Sequence, residues 1–181
     1  FEAFRATGLP LDHVNTHQHY HLHPWVTNEI LAIGADYGMR ALRVPAEPRA
    51  LLAAVDPTWP PMLSGIIAPL AALMRGRAQA AGIIVADRVF GLAWSGAMTE
   101  KRVAGLIARL PEGCSEIYLH PAVAGGFRDA VPDYRYEEEL AALLSPKTRG
   151  ALQASGATLG GYADFVRTNK RNRASSRRVL V

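Results

Sequence analysis

The 181-residue chain carries 20 Lys and Arg against 16 Asp and Glu, a formal net charge of +4, with 49% hydrophobic and 20% charged residues. That length and balance suit one folded domain with a sizeable core and exclude wholesale disorder. The single cysteine, Cys114, excludes an intrachain disulfide and a zinc site built from cysteines. The basic excess sits at one end: 167–181 holds six basic residues and no acid, leaving 14 basic against 16 acidic residues elsewhere. The high pI is therefore a property of a tail that reads as solvated and disordered, and no nucleic-acid partner is inferred from it. No signal peptide is visible, and the most apolar stretch, 62–74, is too short and too broken by Pro69 to span a bilayer. A cytoplasmic protein without stable membrane insertion is expected.

In chain order, 1–7 reads as a helix stopped by Gly8 with no start before it, which predicts that further sequence belongs upstream. Residues 14–23 alternate one by one up to Pro24 and predict a strand. Pro24 suits a first helical position, and Val26, Ile30 and Ile33 share a face until Gly38. A short strand follows at 40–44. Residues 61–81 read as a helix that Pro69 should kink or split. A strand is predicted over 83–90, and then a helix with Thr99 at its N-cap and Val103, Leu106, Ile107 and Leu110 on one face. The strand at 115–119 runs into His120-Pro121. Beyond a Gly- and Ala-rich loop, helices are predicted over 134–144 and from Ser145-Pro146 to Gly156, with a last strand at 157–163. Strands separated by helices imply an α/β fold with a mostly parallel sheet, either open or a partial, distorted (β/α) barrel.

The six histidines carry the functional signal: His13, His17, His19, His21, His23 and His120. Four of them, His17 to His23, follow a strict period of two. On a strand these imidazoles would share a face with Asn15, consecutive ones about 7 Å apart. One or two could then ligate a single ion, with the others around it or against substrate. His120 ends an apolar strand before Pro121, and the carboxyl ends of parallel strands form the functional rim of such folds. Arg43, also at a strand end, is a candidate contact for a polar substrate group, against the alternative of a surface ion pair. Tyr20, Trp25 and Trp94 could stack on a ligand, although core packing is the more frequent fate of such side chains.

The segment Leu11-Asp12-His13-Val14-Asn15-Thr16-His17-Gln18-His19-Tyr20-His21-Leu22-His23-Pro24 resembles the His-rich signature of the YdjC-like (ChbG) carbohydrate deacetylases. Glu116-Ile117-Tyr118-Leu119-His120-Pro121-Ala122 is similar to that family's second signature, and the stretch from Glu138 to Tyr162 to its C-terminal elements. Asn15, His23-Pro24, Phe90-Gly91-Leu92 and the loop Ser95 to Thr99 look most like the hopanoid-biosynthesis branch, HpnK. The resemblance implies a barrel of the YdjC-like or polysaccharide-deacetylase-like type. It makes 1–166 the C-terminal two thirds of such a domain, because the family's Asp-Asp-Phe-Gly strand and a further histidine ligand have no counterpart here.

The activity it implies is hydrolysis of the N-acetyl group of an amino sugar, such as an N-acetylglucosaminyl hopanoid, by a divalent ion, Mg or Zn, held by one aspartate and two histidines. His17 matches the ligand, and Asn15 stands where many members have Asp. His19 and His21 match further histidines lining the pocket. His120 matches the His-Pro histidine and is the candidate acid for the departing amine, or the group that orients the base. A lipid-linked substrate would need an apolar groove, expected near Trp94 and Phe90. With most of the ligand set absent, weak metal binding and no activity are expected of the 181 residues alone. A barrel without its first strands would expose a sheet edge, through which two chains could pair. Two other readings stay open: a different metal-dependent amidohydrolase or phosphoesterase barrel, and a non-catalytic metal-binding module.

Overall fold

A computed structural model describes residues 1–58, 62–166 and 177–180 of the chain. Helices α1 (Glu2–Arg5), α2 (Pro24–Asp36), α3 (Arg49–Val55) and α4 (Met62–Ala80) precede strand β1 (Arg88–Phe90). Helix α5 (Glu100–Ile107) then leads to β2 (Gly113–Ile117), and α6 (Tyr136–Leu144) and α7 (Pro146–Ser155) lead to β3 (Thr158–Gly160). Helix α8 (Tyr162–Val166) and strand β4 (Arg177–Leu180) complete the described chain. The four strands form one parallel sheet in the order β1-β2-β4-β3. The fold is thus the α/β class that the alternation of elements predicts.

Two isolated parallel bridges, Ala41 with Ile84 and Val14 with Leu42, extend the array beyond β1. At its other end the chain leaving β3 returns to the segment before Val14. The Asp12 carboxylate accepts from the Ala163 amide at 2.5 Å, and the His13 ring lies 4.7 Å from that of Tyr162. The array therefore curls until its first and last members touch, in the manner of a partial barrel.

Strand periodicity distributes the core. Phe90, Ile117 and Val179 pack on one face against Leu52 and Val55 of α3, Val103 and Leu106 of α5 and Ala142 of α6. Their neighbours Val89, Tyr118 and Leu180 go to a different cluster with Ala41, Tyr162 and Phe165. Leu42 and Val44 pack with Ile30 of α2 and with Ala71, Met74 and Ala78 of α4. Since successive side chains alternate, Glu116, Tyr118 and His120 leave β2 and its extension on a single face.

Three expectations are corrected. Residues 17–22 form a 3-10 segment, not a strand, with Gln18 and His19 in the left-handed region at φ 49° and 57°. The Thr16 hydroxyl accepts from the His21 amide at 2.9 Å, a local bond that competes with sheet pairing. Only the adjacent His21 and Leu22 are buried there, a pattern that period-two alternation cannot produce.

Second, Pro69 does not split α4, which stays helical from Met62 to Ala80 although the proline removes one hydrogen bond. Third, the expected disordered tail is in part a strand. Residues 167–176 lie outside the described residues, but β4 sits between β2 and β3, with Val179 and Leu180 buried and the Arg178 guanidinium 5.6 Å from the Phe165 ring. Charge count concealed a short apolar strand at the end of a basic run. The helix ends follow expectation more closely: Pro24 and Pro146 occupy first helical positions, the Ser145 hydroxyl accepts from the Lys147 amide, and Gly156 closes α7 at φ 65°.

Candidate functional site

Histidines from both signatures gather at the carboxyl end of the sheet. Tyr118 lies between them: its hydroxyl meets His19 Nε2 at 3.0 Å, and its ring stands 5.5 Å from His19 and 5.8 Å from His120. His120 in turn lies 5.0 Å from the Tyr134 ring, and Tyr134 lies 5.6 Å from Tyr136. His17 is exposed, and its electrostatic effect on His120 is the weakest of those that lower that ring's pKa. A cavity of about 280 Å³ opens beside this row, walled by Ala122 to Phe127 and by Tyr134 to Glu138.

The histidines differ sharply in what surrounds them. His21 is fully buried. Its Nε2 donates to the Arg43 carbonyl at 2.8 Å, so its Nδ1 is the acceptor for the Thr16 hydroxyl at 2.7 Å. Every polar atom of this ring is satisfied within the fold. It locks the 3-10 segment to the neighbouring strand and does not reach substrate. His19 is half-buried; burial first, and then unfavourable electrostatics with His21, Arg43 and His120, push its pKa down to about 4. Its Nδ1 is buried and has no hydrogen-bond partner among the described residues. His120 is also lowered, by burial above all, with Arg43 and His17 adding to the effect and Glu139 opposing it. Both rings are therefore neutral at neutral pH.

The other candidates have settled partners. His13 donates from Nδ1 to Asp12 at 2.9 Å and accepts at Nε2 from the Asn15 amide at 3.1 Å. Asn15 thus orients His13 at the seam where the array closes. His23 caps α2, accepting from the Trp25 amide at 3.3 Å. Arg43 is engaged within the fold: its Nη2 and Nε lie 2.5 and 2.7 Å from Glu116 Oε1, and its guanidinium covers the Tyr118 ring at 4.7 Å. Tyr162 donates to the other Glu116 oxygen at 2.7 Å. Arg43 therefore builds the floor beneath Tyr118. Trp94 and Phe90, both 0% exposed, are core residues; Trp94 borders a cavity of about 90 Å³ together with Leu52, Ala53 and Ala93, and Tyr20 and Trp25 are 64% and 65% exposed.

Sequence reasoning passed over Tyr118, Tyr134, Glu116 and Glu139. A signal for two of them existed: counting back by twos from His120 along its strand reaches Tyr118 and Glu116. Glu139 is hidden among Glu137, Glu138 and Glu139, yet it is the only one of the three that is buried, three residues before the buried Ala142.

The donor set does not by itself fit a metal ion. Among the described residues, no three His, Cys, Asp or Glu side chains come together in a way that could hold one. Asp12, Glu116 and Glu139 are committed to His13, to Arg43 and to backbone amides respectively. No helix of the described residues is long and apolar enough to cross a membrane.

Residues 1–154 match the family model described as YdjC-like protein, a carbohydrate deacetylase-like family. No curated protein and no solved structure matches the chain.

Proposed function

Because the chain belongs to the YdjC-like family, we propose that it forms part of a hydrolase removing the N-acetyl group from an N-acetylated amino sugar, with His120 as the acid it supplies. The observation that carries this reading is the position of His120: at the carboxyl end of the β2 strand line, half-exposed, with its ring 5.0 Å from that of Tyr134, which walls a cavity of about 280 Å³ together with Phe127 and Tyr136. Amide hydrolysis needs a proton on the departing nitrogen, because an amine leaves far more readily than its anion. A histidine whose imidazolium is disfavoured by burial gives up a proton readily once it has taken one. The proton released by the attacking water is a source in reach. Acetate and the free amine are then the products. Tyr134 and Tyr136 offer ring faces to a sugar beside the reacting group.

Dependence on Mg or Zn is part of the proposal, with His17 as the donor this chain supplies. The steps above run through the protein's own groups, since the described residues do not complete a site. Within the family, an N-acetylglucosaminyl hopanoid is the substrate we favour, on the likeness of Asn15, His23-Pro24 and the Ser95 to Thr99 loop to that branch.

The test is acetate release from N-acetylglucosamine conjugates in the presence of Mg or Zn, in two arms. The 181-residue chain alone should release none. The same chain fused to the Asp-Asp-Phe-Gly strand region of a family member should release acetate, and His17→Ala or His120→Ala should abolish it. A fusion that binds metal and releases no acetate would favour the non-catalytic reading.

A further inference from the structure

Glu139 is a fully buried carboxylate on α6, and it reaches two loops at once. One oxygen accepts from the Met98 amide at 2.9 Å, the other from the amide of His120. That second oxygen also stands 4.0 Å from His120 Nδ1. Nδ1 is buried and has no hydrogen-bond partner among the described residues, so the 37% exposure of the His120 side chain belongs to the rest of its ring. Among the described residues no other acceptor is within hydrogen-bond distance of Nδ1: the rings of Tyr118 and Tyr134 lie 5.8 and 5.0 Å from that of His120, and the charged groups acting on it besides Glu139 are Arg43, His17 and His19. Among these groups Glu139 is the anion.

The geometry points to Glu139 as a positioning residue that holds His120 in its Nδ1–H tautomer, leaving the Nε2 lone pair turned toward the mouth of the site. The physical basis is the cost of a buried polar atom without a partner. A proton on Nδ1, with a small rotation of the ring, closes a charge-assisted bond to Glu139; a proton on Nε2 would leave two acceptors facing each other in a buried space. The Met98 bond ties the same carboxylate to the loop in which the Ser95 hydroxyl meets that of Tyr134 at 2.7 Å, so one group sets the positions of both His120 and its aromatic neighbour. The consequence for catalysis rests on the deacetylase reading; the tautomer itself does not.

The experiment is a measurement of the side-chain ¹⁵N shifts of His120 in the full 181-residue chain at neutral pH, assigned by their loss in His120→Ala. We expect a protonated Nδ1 and an unprotonated Nε2 in the wild type, the reverse of the preference of free histidine. In Glu139→Gln that preference should be lost, and in Glu139→Asp, which keeps the carboxylate, it should be retained. An Nε2–H tautomer in the wild type overturns the proposal even if neither variant folds, and so does an unchanged tautomer in a folded Glu139→Gln. A purely structural Glu139, holding only the two backbone amides, would leave the tautomer at the preference of the free ring. Because no substrate enters this measurement, its failure is distinct from a failure to release acetate.

Discussion

Histidines of the same tract, two or four residues apart, end in different physical situations, and stability should separate them. His21 loses two side-chain hydrogen bonds and a filled core position on replacement by alanine, whereas His17 is exposed. His21→Ala should cost on the order of 3 kcal/mol in urea unfolding, and His17→Ala less than about 0.5 kcal/mol. Equal costs would show that the two environments have been misassigned. Asp56 offers a pH-dependent counterpart away from the site. The Thr58 hydroxyl first, and then the Arg102 guanidinium at 2.9 and 3.1 Å, hold its carboxyl down to about 2. A depressed carboxylate stabilises the fold at pH values above its ordinary value near 4, and the contribution disappears as pH falls toward 2. Both side chains are about nine-tenths buried, so the shift corresponds to on the order of 2 kcal/mol. Asp56→Asn should lower stability by that amount at pH 7 and flatten the loss of stability between pH 4 and 2. A variant with an unchanged acid limb would remove Asp56 from the account.

Between elements, the site depends on close approach of backbone to ring. The loop after β1 turns at Gly96, φ 74°, where the carbonyl accepts from the Arg135 amide at 2.7 Å and the Tyr134 ring fills the space a β-carbon would need. Gly38, at the end of α2, has the same φ within a degree but open space around it. Alanine at Gly38 should therefore cost about 1 kcal/mol, the price of the left-handed conformation alone. Alanine at Gly96 should cost more than about 2 kcal/mol and move Tyr134, seen as a change in near-ultraviolet circular dichroism. Equal penalties at both positions would mean that the Tyr134 ring yields freely. Glu47 acts similarly on the preceding residues: its carboxylate accepts from the amides of Gly91, Leu92 and Ala93, and so fixes how the chain leaves β1.

At the scale of the whole molecule, β4 is the keystone of the sheet. The connection from β2 to β3 through α6 and α7 skips one position, and β4 fills it in parallel register with both neighbours. Removing 177–181 would unpair the facing edges of β2 and β3 and uncover Val179 and Leu180, which are 0% and 2% exposed. Burial of two such side chains is worth about 4 kcal/mol, a large share of the 5–15 kcal/mol typical of a domain. Truncation after residue 176 should therefore lower the melting temperature steeply and expose the sheet edge to self-association. A truncated chain that melts with the intact one would show that β4 contributes no such stability.

The α/β class, most helix ends, the burial of Val103, Leu106 and Ile107 on α5 and of Leu110 just beyond it, and His120 at the end of its strand line were all readable from residue order. Each depends on local rules: periodicity, the fixed φ of Pro24 and Pro146, the freedom of Gly156, and the Ser145 cap. The histidine tract was readable as a site but not in its geometry, because period two is satisfied on paper by a strand and in the molecule is broken by the Thr16 bond and two left-handed residues. The tertiary structure alone decided that Arg43 meets Glu116 across 73 positions, that Glu139 and not its two acidic neighbours turns inward, and that a strand from the basic end completes the sheet. Such pairings depend on which elements become neighbours after the array curls, and no property of the separate segments specifies that contact.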